Sequence, residues 1–435
     1  MTYSRHSQLT VSIVLALVLC RPFSLAFSVR HLHHHNSNCR QHQIQNNHGN
    51  LESIRTCCPL YTSSPAVVTI GDALFDCIAT DDARGMTVEQ MEAQGSWTAL
   101  PGGAPANVAT ALCKLGTTSA FCGCVGADDD GNELQALMED IGVDVTLMQR
   151  TTKAPTRRVM VTRSLQGDRE FGGFYEARKA QDFADCFLDD TTIPSNDILS
   201  KAQWIVCSTL SLAFSQSSQS LRNLVQNALQ TNGHSPRLYV DVNWRPVFWP
   251  NHDAEEARMQ IYQFCQLATV VKMTDEEAAW LLPDIATADE ALNNPARVLD
   301  EYFPKAVVVL VTAGEKGASY AFRMLESSSG NALEMGHIPP FQVPVVETTG
   351  AGDAFTAGFL HALLAGDGQD VLLHDSQPSS LSYAEKQQRV HSMVQFASAV
   401  GALTCTKEGA IAAQPTLEEA QAILKEQETN QKLIP

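Results

Sequence analysis

The chain has 435 residues, of which 44% are hydrophobic and 18% charged, enough for one large core or two smaller ones, and this composition excludes a fibrous or disordered protein. Its 30 Lys and Arg residues stand against 48 Asp and Glu residues, a formal charge of −18. So acidic a surface repels nucleic acid and anionic membranes, and we expect neither as a partner of the processed chain.

The first 64 residues differ in composition from the rest of the chain. Residues 1–26 hold a short apolar run, Val11 to Cys20, and end in Ala26, which predicts a signal peptide. Residues 27–64 are rich in His, Asn, Gln and Ser and contain one acid, Glu52, as transit peptides do. This order resembles a bipartite plastid presequence and predicts a plastid protein, with the secretory pathway as the alternative.

Removal of this presequence changes the charge and the cysteine content. It holds five of the 30 basic residues and one of the 48 acidic ones, so the remaining chain has a formal charge of −22. Eight of the twelve cysteines follow it, mostly inside apolar stretches and without the spacing of a zinc site. We therefore expect buried thiols in a reducing compartment.

From residue 65 on, apolar runs alternate with amphipathic helical patterns. Strands are predicted at "AVVTIG", "TTSAFCGCVG", "QWIVCSTL", "RLYVDVN", "TVVKMT" and "AVVVLVTAG", and helices at "APANVATALCKLG", "GNELQALMEDIG", "SSQSLRNLVQNAL" and "DEEAAWLL". Such alternation predicts an α/β domain over residues 65–425, a three-layer α/β/α sandwich around a mainly parallel sheet, followed by a tail at 426–435.

Three segments interrupt this rhythm. Residues 84–100 and 155–177 alternate between polar and apolar side chains, which predicts half-exposed strands of a small β lid over the main sheet. Residues 366–389 are polar and rich in turn residues, which predicts a surface insertion.

The stretch "ETTGAGDAFTAGF", residues 347–359, carries the strongest chemical signal. It follows the strand-like run "FQVPVV" and leads into a helical pattern. Helix capping alone would explain Asp353, but it would not explain Gly350, Ala351 and Gly352, since glycine costs helix stability. An anion hole of bare N–H groups at Gly350–Gly352, with Asp353 as a general base, explains all four residues.

Other phosphate-binding motifs are absent from the sequence. It contains no G-x-x-x-x-G-K-[ST], and the glycines of "GCVGADDDG" do not form G-x-G-x-x-G. A P-loop kinase and a dinucleotide dehydrogenase are therefore disfavoured.

Several ordered motifs resemble the PfkB family of carbohydrate kinases, from about Val67 to Leu424. "PGGAPANVATALCKLG" resembles the first family signature and "VVETTGAGDAF" the second. The resemblance implies a ribokinase-like fold, and ATP and Mg²⁺ as cofactors. It also places the sugar against Gly102, Gly103 and Asn107, and against Asp76 at the end of "GDALFD".

The resemblance also implies metal and nucleotide positions. "VVKMTDEEAAWL" resembles the segment that orients Mg²⁺ through water, with Glu277 as its acid, although Thr274 replaces an asparagine. Glu347 stands where the family usually has an aspartate next to a K⁺ loop. The expected nucleotide-binding residues are Thr312, Gly314, Gly317, Gly409 and Ala410.

"DVNWRPVFW" and the lid segment look most like fructokinase, and Arg158, Asp241 and Arg245 are therefore further candidates for binding substrate. The expected reaction is phosphorylation of a sugar primary hydroxyl, with fructose giving fructose 6-phosphate. The alternatives are a PfkB kinase for ribose, a nucleoside or another sugar, and a non-catalytic PfkB homologue in a plastid complex. Because lids of this family can pair between subunits, a homodimer is also an option.

Overall fold

The computed structural model describes residues 41–45, 51–55, 64–165, 169–193, 197–230, 235–249, 253–326, 330–365 and 381–432. The chain divides into two compact units, Met1–Pro59 and Leu60–Pro435. In the first unit, β1 (Gln41–Gln45) and β2 (Leu51–Arg55) form an antiparallel pair. The rest of the predicted signal and transit segments, and residues 366–380 of the predicted insertion, lie outside the described residues. Residues 383–389 of that insertion are helical, because Ser382 and Glu385 form a capping box, so its predicted end is wrong.

The second unit is built around a large sheet. Nine of its described strands pair in the order β15-β14-β13-β12-β11-β10-β3-β6-β7. Their bounds are β3 Val67–Ile70, β6 Ser119–Gly126, β7 Asp144–Thr151, β10 Trp204–Ser208, β11 Arg237–Asp241, β12 Val270–Thr274, β13 Val308–Thr312, β14 Ala318–Glu326 and β15 Gly330–Ile338. The pairs from β13 to β7 are parallel, whereas β14 and β15 add an antiparallel edge.

Helices cover both faces of this sheet. Their bounds are α1 Val88–Gln94, α2 Ala104–Lys114, α3 Asp129–Ile141, α4 Asp197–Lys201, α5 Ser215–Leu229, α6 Ala254–Cys265, α7 Asp275–Leu281, α8 Ala288–Asn293, α9 Pro295–Arg297, α10 Ala351–Leu364, α11 Tyr383–Thr404 and α12 Leu417–Lys432. The predicted tail at 426–435 continues helix α12 through Lys432.

Successive side chains of the buried strands enter two different cores. Val67 and Val206 pack with α2, α10 and α11, whereas Val68 and Ile205 pack with α5 and α6. This alternation follows from the two-residue period of a strand. Because both faces are apolar, both must be covered, and the predicted three-layer α/β/α arrangement is confirmed.

A smaller sheet pairs its strands in the order β5-β4-β8-β9, with β4 Leu74–Ala79, β5 Trp97–Gly102, β8 Arg157–Arg163 and β9 Arg169–Phe174. Strand β4 lies between the two segments predicted to form the lid. The strand pattern read over residues 84–100 is wrong in part, because Thr87 and Gln90 form a capping box that starts α1, and Gly95 ends it.

The expected strand "FQVPVV" before helix α10 is also wrong, since residues 341–347 have no regular structure. Pro344 has no N–H group to donate to a sheet, and Val345 and Val346 are 65% and 56% exposed. An apolar run with a proline at its centre therefore approaches α10 as an irregular segment.

The cysteines of the described residues agree with the expected thiols. All eight are free, and six of them are buried. Over the part of the chain that the structure describes, no helix combines the length and hydrophobicity that a membrane span needs.

Candidate active site

Helix α10 begins at an unblocked N-terminus. Gly350 precedes it with φ 79°, in the left-handed region that glycine tolerates best. A Cβ atom on Gly350 would lie 2.8 Å from Cβ of Ala410, so the backbone and the small Ala410 side chain meet closely here. The first N–H groups of a helix lack intrahelical partners and attract anions. The Ala351 N–H itself donates to the Thr348 carbonyl at 3.2 Å, and the anion hole at Gly350–Gly352 stays a prediction.

Asp353 lies in the first turn of α10 and is held by α2. Its Oδ2 accepts a hydrogen bond of 2.8 Å from Nδ2 of Asn107. Loss of hydration raises the pKa of Asp353 to about 7, and the Asn107 hydrogen bond acts in the opposite direction. A pKa near the working pH is what a general base requires.

Asn107 is 4% exposed, and its Oδ1 has no hydrogen-bond partner within the described residues. An unpartnered buried acceptor is costly unless something donates to it. Asn107 therefore holds Asp353 with one end of its amide and leaves an acceptor, Oδ1, at the other.

Asp241, at the carboxyl end of β11, forms a buried ion pair with Lys272, at the centre of β12. Lys272 Nζ lies 2.7 Å from Asp241 Oδ2, and the two side chains are 5% and 6% exposed. A Cβ atom on Gly352 would lie 3.0 Å from the same ammonium nitrogen. The ion pair therefore lies directly against the first turn of α10.

Glu277 is fixed by backbone donors at the start of α7. Its Oε2 accepts from the Thr274 N–H at 2.9 Å, and its Oε1 accepts from the Trp244 N–H at 2.8 Å. Thr274 and Glu277 form a capping box, so the threonine that stands in place of the expected asparagine is the N-cap of α7. Burial and the charge of Asp241 raise the pKa of Glu277, and Arg245 Nη1 lies 3.5 Å from its Oε1.

Three of the residues predicted to hold the sugar are neighbours: Asp76 lies in β4, Gly102 ends β5 and Gly103 precedes α2. A Cβ atom on Gly102 would lie 3.0 Å from Oδ2 of Asp76. On Gly103, which caps α2, it would lie 2.6 Å from the carbonyl oxygen of Asp72. Gly103 therefore permits a close approach to the Asp72 backbone that a larger residue would block, whereas a larger residue at Gly102 would require only a small shift of the Asp76 side chain.

Glu347 joins two loops beside the N-terminus of α10. It is 6% exposed, and its Oε2 accepts a hydrogen bond of 2.9 Å from the Gly409 N–H. The structure thus brings Glu347, Gly409 and Ala410 together against Gly350. The K⁺ role of Glu347 stays a prediction.

Thr312, Gly314 and Gly317 form a tight turn after β13. The Ala313 N–H donates to the Gly317 carbonyl at 2.8 Å, and a Cβ atom on Gly317 would lie 2.1 Å from the carbonyl oxygen of Ile338. The turn can exist only with glycine at this position. Its predicted contact with a nucleotide stays a prediction.

Arg158 forms an ion pair with Asp130. Its Nε and Nη2 donate to Asp130 at 2.5 and 2.6 Å, and its guanidinium lies 5.2 Å from the centre of the Tyr175 ring. This ion pair occupies two of its donors, so a role of Arg158 in substrate binding stays a prediction.

Two basic residues with structural consequences were missed in the sequence. Lys272 interrupts the apolar strand "TVVKMT", and a charged residue at the centre of a buried strand is the signal that could have found it. Arg157 is 1% exposed and binds Asp185, yet its neighbour Arg158 looks equivalent in the sequence. Only the face of β8 on which each lies distinguishes them.

We expect Gly350→Ala to lower kcat/KM for the substrate, because the new methyl group would push the 409–410 loop away from the N-terminus of α10. The left-handed conformation itself costs a non-glycine residue about 1–2 kcal/mol. The matched control is Gly142→Ala, since Gly142 has φ 101° with no atom within 4 Å of its Cβ position. Steady-state kinetics with thermal melting separates the displacement of the loop from the strain of the backbone. Equal losses of kcat/KM in both variants would contradict the expectation.

The chain matches known proteins over most of its length. The family described as "pfkB family carbohydrate kinase" matches residues 64–417. Fructokinase-2 of Solanum lycopersicum is 32% identical over 84% of this chain and 97% of its own length. The protein named "Probable fructokinase-6, chloroplastic" of Arabidopsis thaliana is 33% identical over 83% of both chains.

A solved structure of a fructokinase is also similar to this chain. The fructokinase of Vibrio cholerae O395, solved with fructose, ADP and a calcium ion, has a TM-score of 0.63 and 28% identity. The match covers 83% of this chain and all of that one. The ribokinase-like fold is confirmed, and the chain belongs to the PfkB family of carbohydrate kinases.

Proposed function

We propose that the protein transfers the γ-phosphoryl group of ATP to the primary hydroxyl of fructose, giving fructose 6-phosphate. The observation that carries this proposal is the carboxylate of Asp353, held by Asn107 in the first turn of a helix whose N-terminus is stripped to glycine and alanine. The names of the plant relatives, and the fructose and ADP in the Vibrio structure, support the choice of substrate.

Asp353 is the proposed general base. Its Oδ2 is oriented by Asn107, so Asp353 can take the proton of a hydroxyl group as the oxygen attacks phosphorus. The N–H groups at Gly350–Gly352 would hold the equatorial oxygens of the transferring phosphoryl group. Asp76, Asn107 and Asp241 would orient the sugar through hydrogen bonds from its other hydroxyls.

Mg²⁺ would neutralise charge on the nucleotide phosphates. Among the described residues, no group of three His, Cys, Asp or Glu side chains could hold a metal ion by itself. Glu277 uses its two oxygens for backbone N–H groups, but a carboxylate has lone pairs left for a bridging water. The residues present therefore fit a metal that is bound chiefly by the phosphates and by water, as Mg²⁺ prefers.

We expect kcat/KM to rise with pH through about 7 and to level off above it. A general base acts in its ionised form, and burial raises the pKa of Asp353 to about 7. The profile is measured at saturating ATP and Mg²⁺. A flat profile between pH 5.5 and about 8.5 would contradict the assignment of Asp353.

The substrate is tested with a coupled assay of ADP release over fructose, glucose, ribose and nucleosides. We expect the highest kcat/KM with fructose. A preference for ribose or a nucleoside would overturn the choice of sugar but keep the kinase. Failure to turn over any of them would favour the non-catalytic alternative, in which the chain serves as a subunit of a plastid complex.

We also propose that residues 1–64 direct the chain to the plastid. The supporting observations are their acid-poor composition and the relative named "chloroplastic". A fluorescent protein fused behind residues 1–64 should accumulate in plastids, and a fusion behind residues 27–64 alone should not enter them. Retention of the longer fusion in the endoplasmic reticulum would contradict the proposal.

A further inference from the structure

Lys272 carries a charge that stability alone does not explain. The residue is 4% exposed on strand β12, and its only ion-pair partner in the described part of the chain is Asp241. Taking two charges out of water costs several kcal/mol per ion, so apolar replacements of a buried pair are often neutral or stabilising. A lysine and an aspartate buried at this point therefore require another reason.

The pair is joined to the first turn of α10 by a chain of contacts. Thr356 Oγ1 lies 3.4 Å from Asp241 Oδ2 and donates to the Gly352 carbonyl at 3.2 Å. The Tyr239 hydroxyl lies 3.2 Å from the same Oγ1 atom. Thr356 thus connects Asp241 and Tyr239 of β11 to the Gly352 carbonyl in the first turn of α10.

The charges that face Asp353 come from several elements. Asp241 on β11 raises its pKa, whereas Lys272 on β12, Arg245 in the segment after β11 and the amide of Asn107 on α2 lower it. Arg245 is 57% exposed along its side chain, and Lys272 is 5% exposed. Solvent screens the first charge more than the second, so Lys272 is the more effective cation.

We propose that Lys272 is a positioning residue for phosphoryl transfer. Its ammonium group is the fixed positive charge beneath the first turn of α10, which keeps Asp353 ready to accept a proton and offsets the negative charge arriving with the phosphoryl group. This inference rests on the proposed function. It assigns the pair a role in the reaction in place of a role in stability.

The test compares four variants of the full chain in the fructose assay: Lys272→Met, Asp241→Asn, the double variant Lys272→Met/Asp241→Leu, and Lys153→Met as a control. Lys153 also carries one positive charge, but it lies over the ring of Phe187, 5.8 Å from its centre. Each variant is measured by thermal melting and by kcat and kcat/KM as functions of pH.

We expect the two single changes to move the midpoint of the kcat/KM profile in opposite directions, by about one pH unit each. Lys272→Met moves it to higher pH because a cation is lost, and Asp241→Asn moves it to lower pH because an anion is lost. In the double variant the shifts largely cancel, but kcat at the plateau stays about 10- to 100-fold below that of Asp241→Asn, which lacks the same carboxylate but keeps Lys272, although the chain folds. Lys153→Met leaves both quantities unchanged.

The double variant also decides the matter if Lys272→Met fails to fold. A folded double variant with wild-type kcat would overturn the inference, because the pair would then be structural. Equal midpoints of the kcat/KM profile in the two single variants would also overturn it. A wild-type chain that phosphorylates no sugar would overturn the proposed function and this inference with it. If the wild type and the double variant were both fully active, the inference about Lys272 would be overturned and the proposed function would be kept.

Discussion

Asp353→Asn should fold like the wild type and lower kcat by about 10²- to 10⁴-fold, the usual contribution of a general base. Asparagine keeps the size of the side chain but cannot accept a proton at neutral pH. Its amide can still pair with Asn107, because either amide can supply the acceptor. We therefore expect KM to change much less than kcat, since the ground-state contacts are kept.

The measurement is steady-state kinetics together with thermal unfolding. Asp129→Asn is the matched control, since Asp129 is also an acid in the first turn of a helix, α3, but lies on the surface. Near-full activity of Asp353→Asn would show that another group takes the proton. A large drop in the unfolding temperature would show that Asp353 acts on the fold.

Arg157→Met should lower the free energy of unfolding by about 3–5 kcal/mol, because it leaves Asp185 buried without its cation. Arg157 donates to Asp185 at 2.7 to 3.1 Å and to the Ala180 carbonyl at 2.8 Å. Four rings surround its guanidinium group at 4.7 to 5.5 Å from their centres: Phe174, Phe183, Phe214 and Phe248. The cluster joins the small sheet to the segments that follow β10 and β11.

Arg158→Met provides the internal control for this prediction. Arg158 is the next residue in the strand, but its ion pair with Asp130 is 27% and 17% exposed. We expect a loss of at most about 1 kcal/mol from this change. Denaturant unfolding of both variants measures the loss in the free energy of unfolding. Equal losses would mean that burial of the ion pair does not determine how much its removal destabilises the fold.

A compensating change distinguishes the cost of an unpaired charge from the loss of packing. Arg157→Met combined with Asp185→Leu removes both charges, so much of the lost stability should return. If the double variant were less stable than Arg157→Met, the contacts of the guanidinium group with the four rings would be the larger contribution.

The proposed site combines an acidic surface with a local cradle for anions. The chain after residue 64 has a formal charge of −22, yet Lys272 and the N–H groups of α10 meet at one point. A helix N-terminus and one buried cation are short-range features, so they can bind a phosphoryl group whatever the net charge of the protein.

The layered fold could be predicted from the sequence because it depends on local periodicity. The six expected strands that enter the central sheet and the four expected helices all form, since continuous apolar runs and amphipathic spacing are properties of neighbouring residues. Errors arose where local chemistry was misread: Thr87 and Gln90 begin a helix, and Pro344 prevents a strand.

The sequence by itself determined the family resemblance and the unusual composition of residues 350–353, because glycine, alanine and aspartate in this order are recognisable without their surroundings. Only the tertiary structure decided which groups face them. Asn107 lies 246 positions before Asp353, and Lys272 meets Asp241 from a different strand. Such contacts depend on strand order and helix packing, and a pKa depends on burial by the whole fold, so neither can be obtained from local sequence.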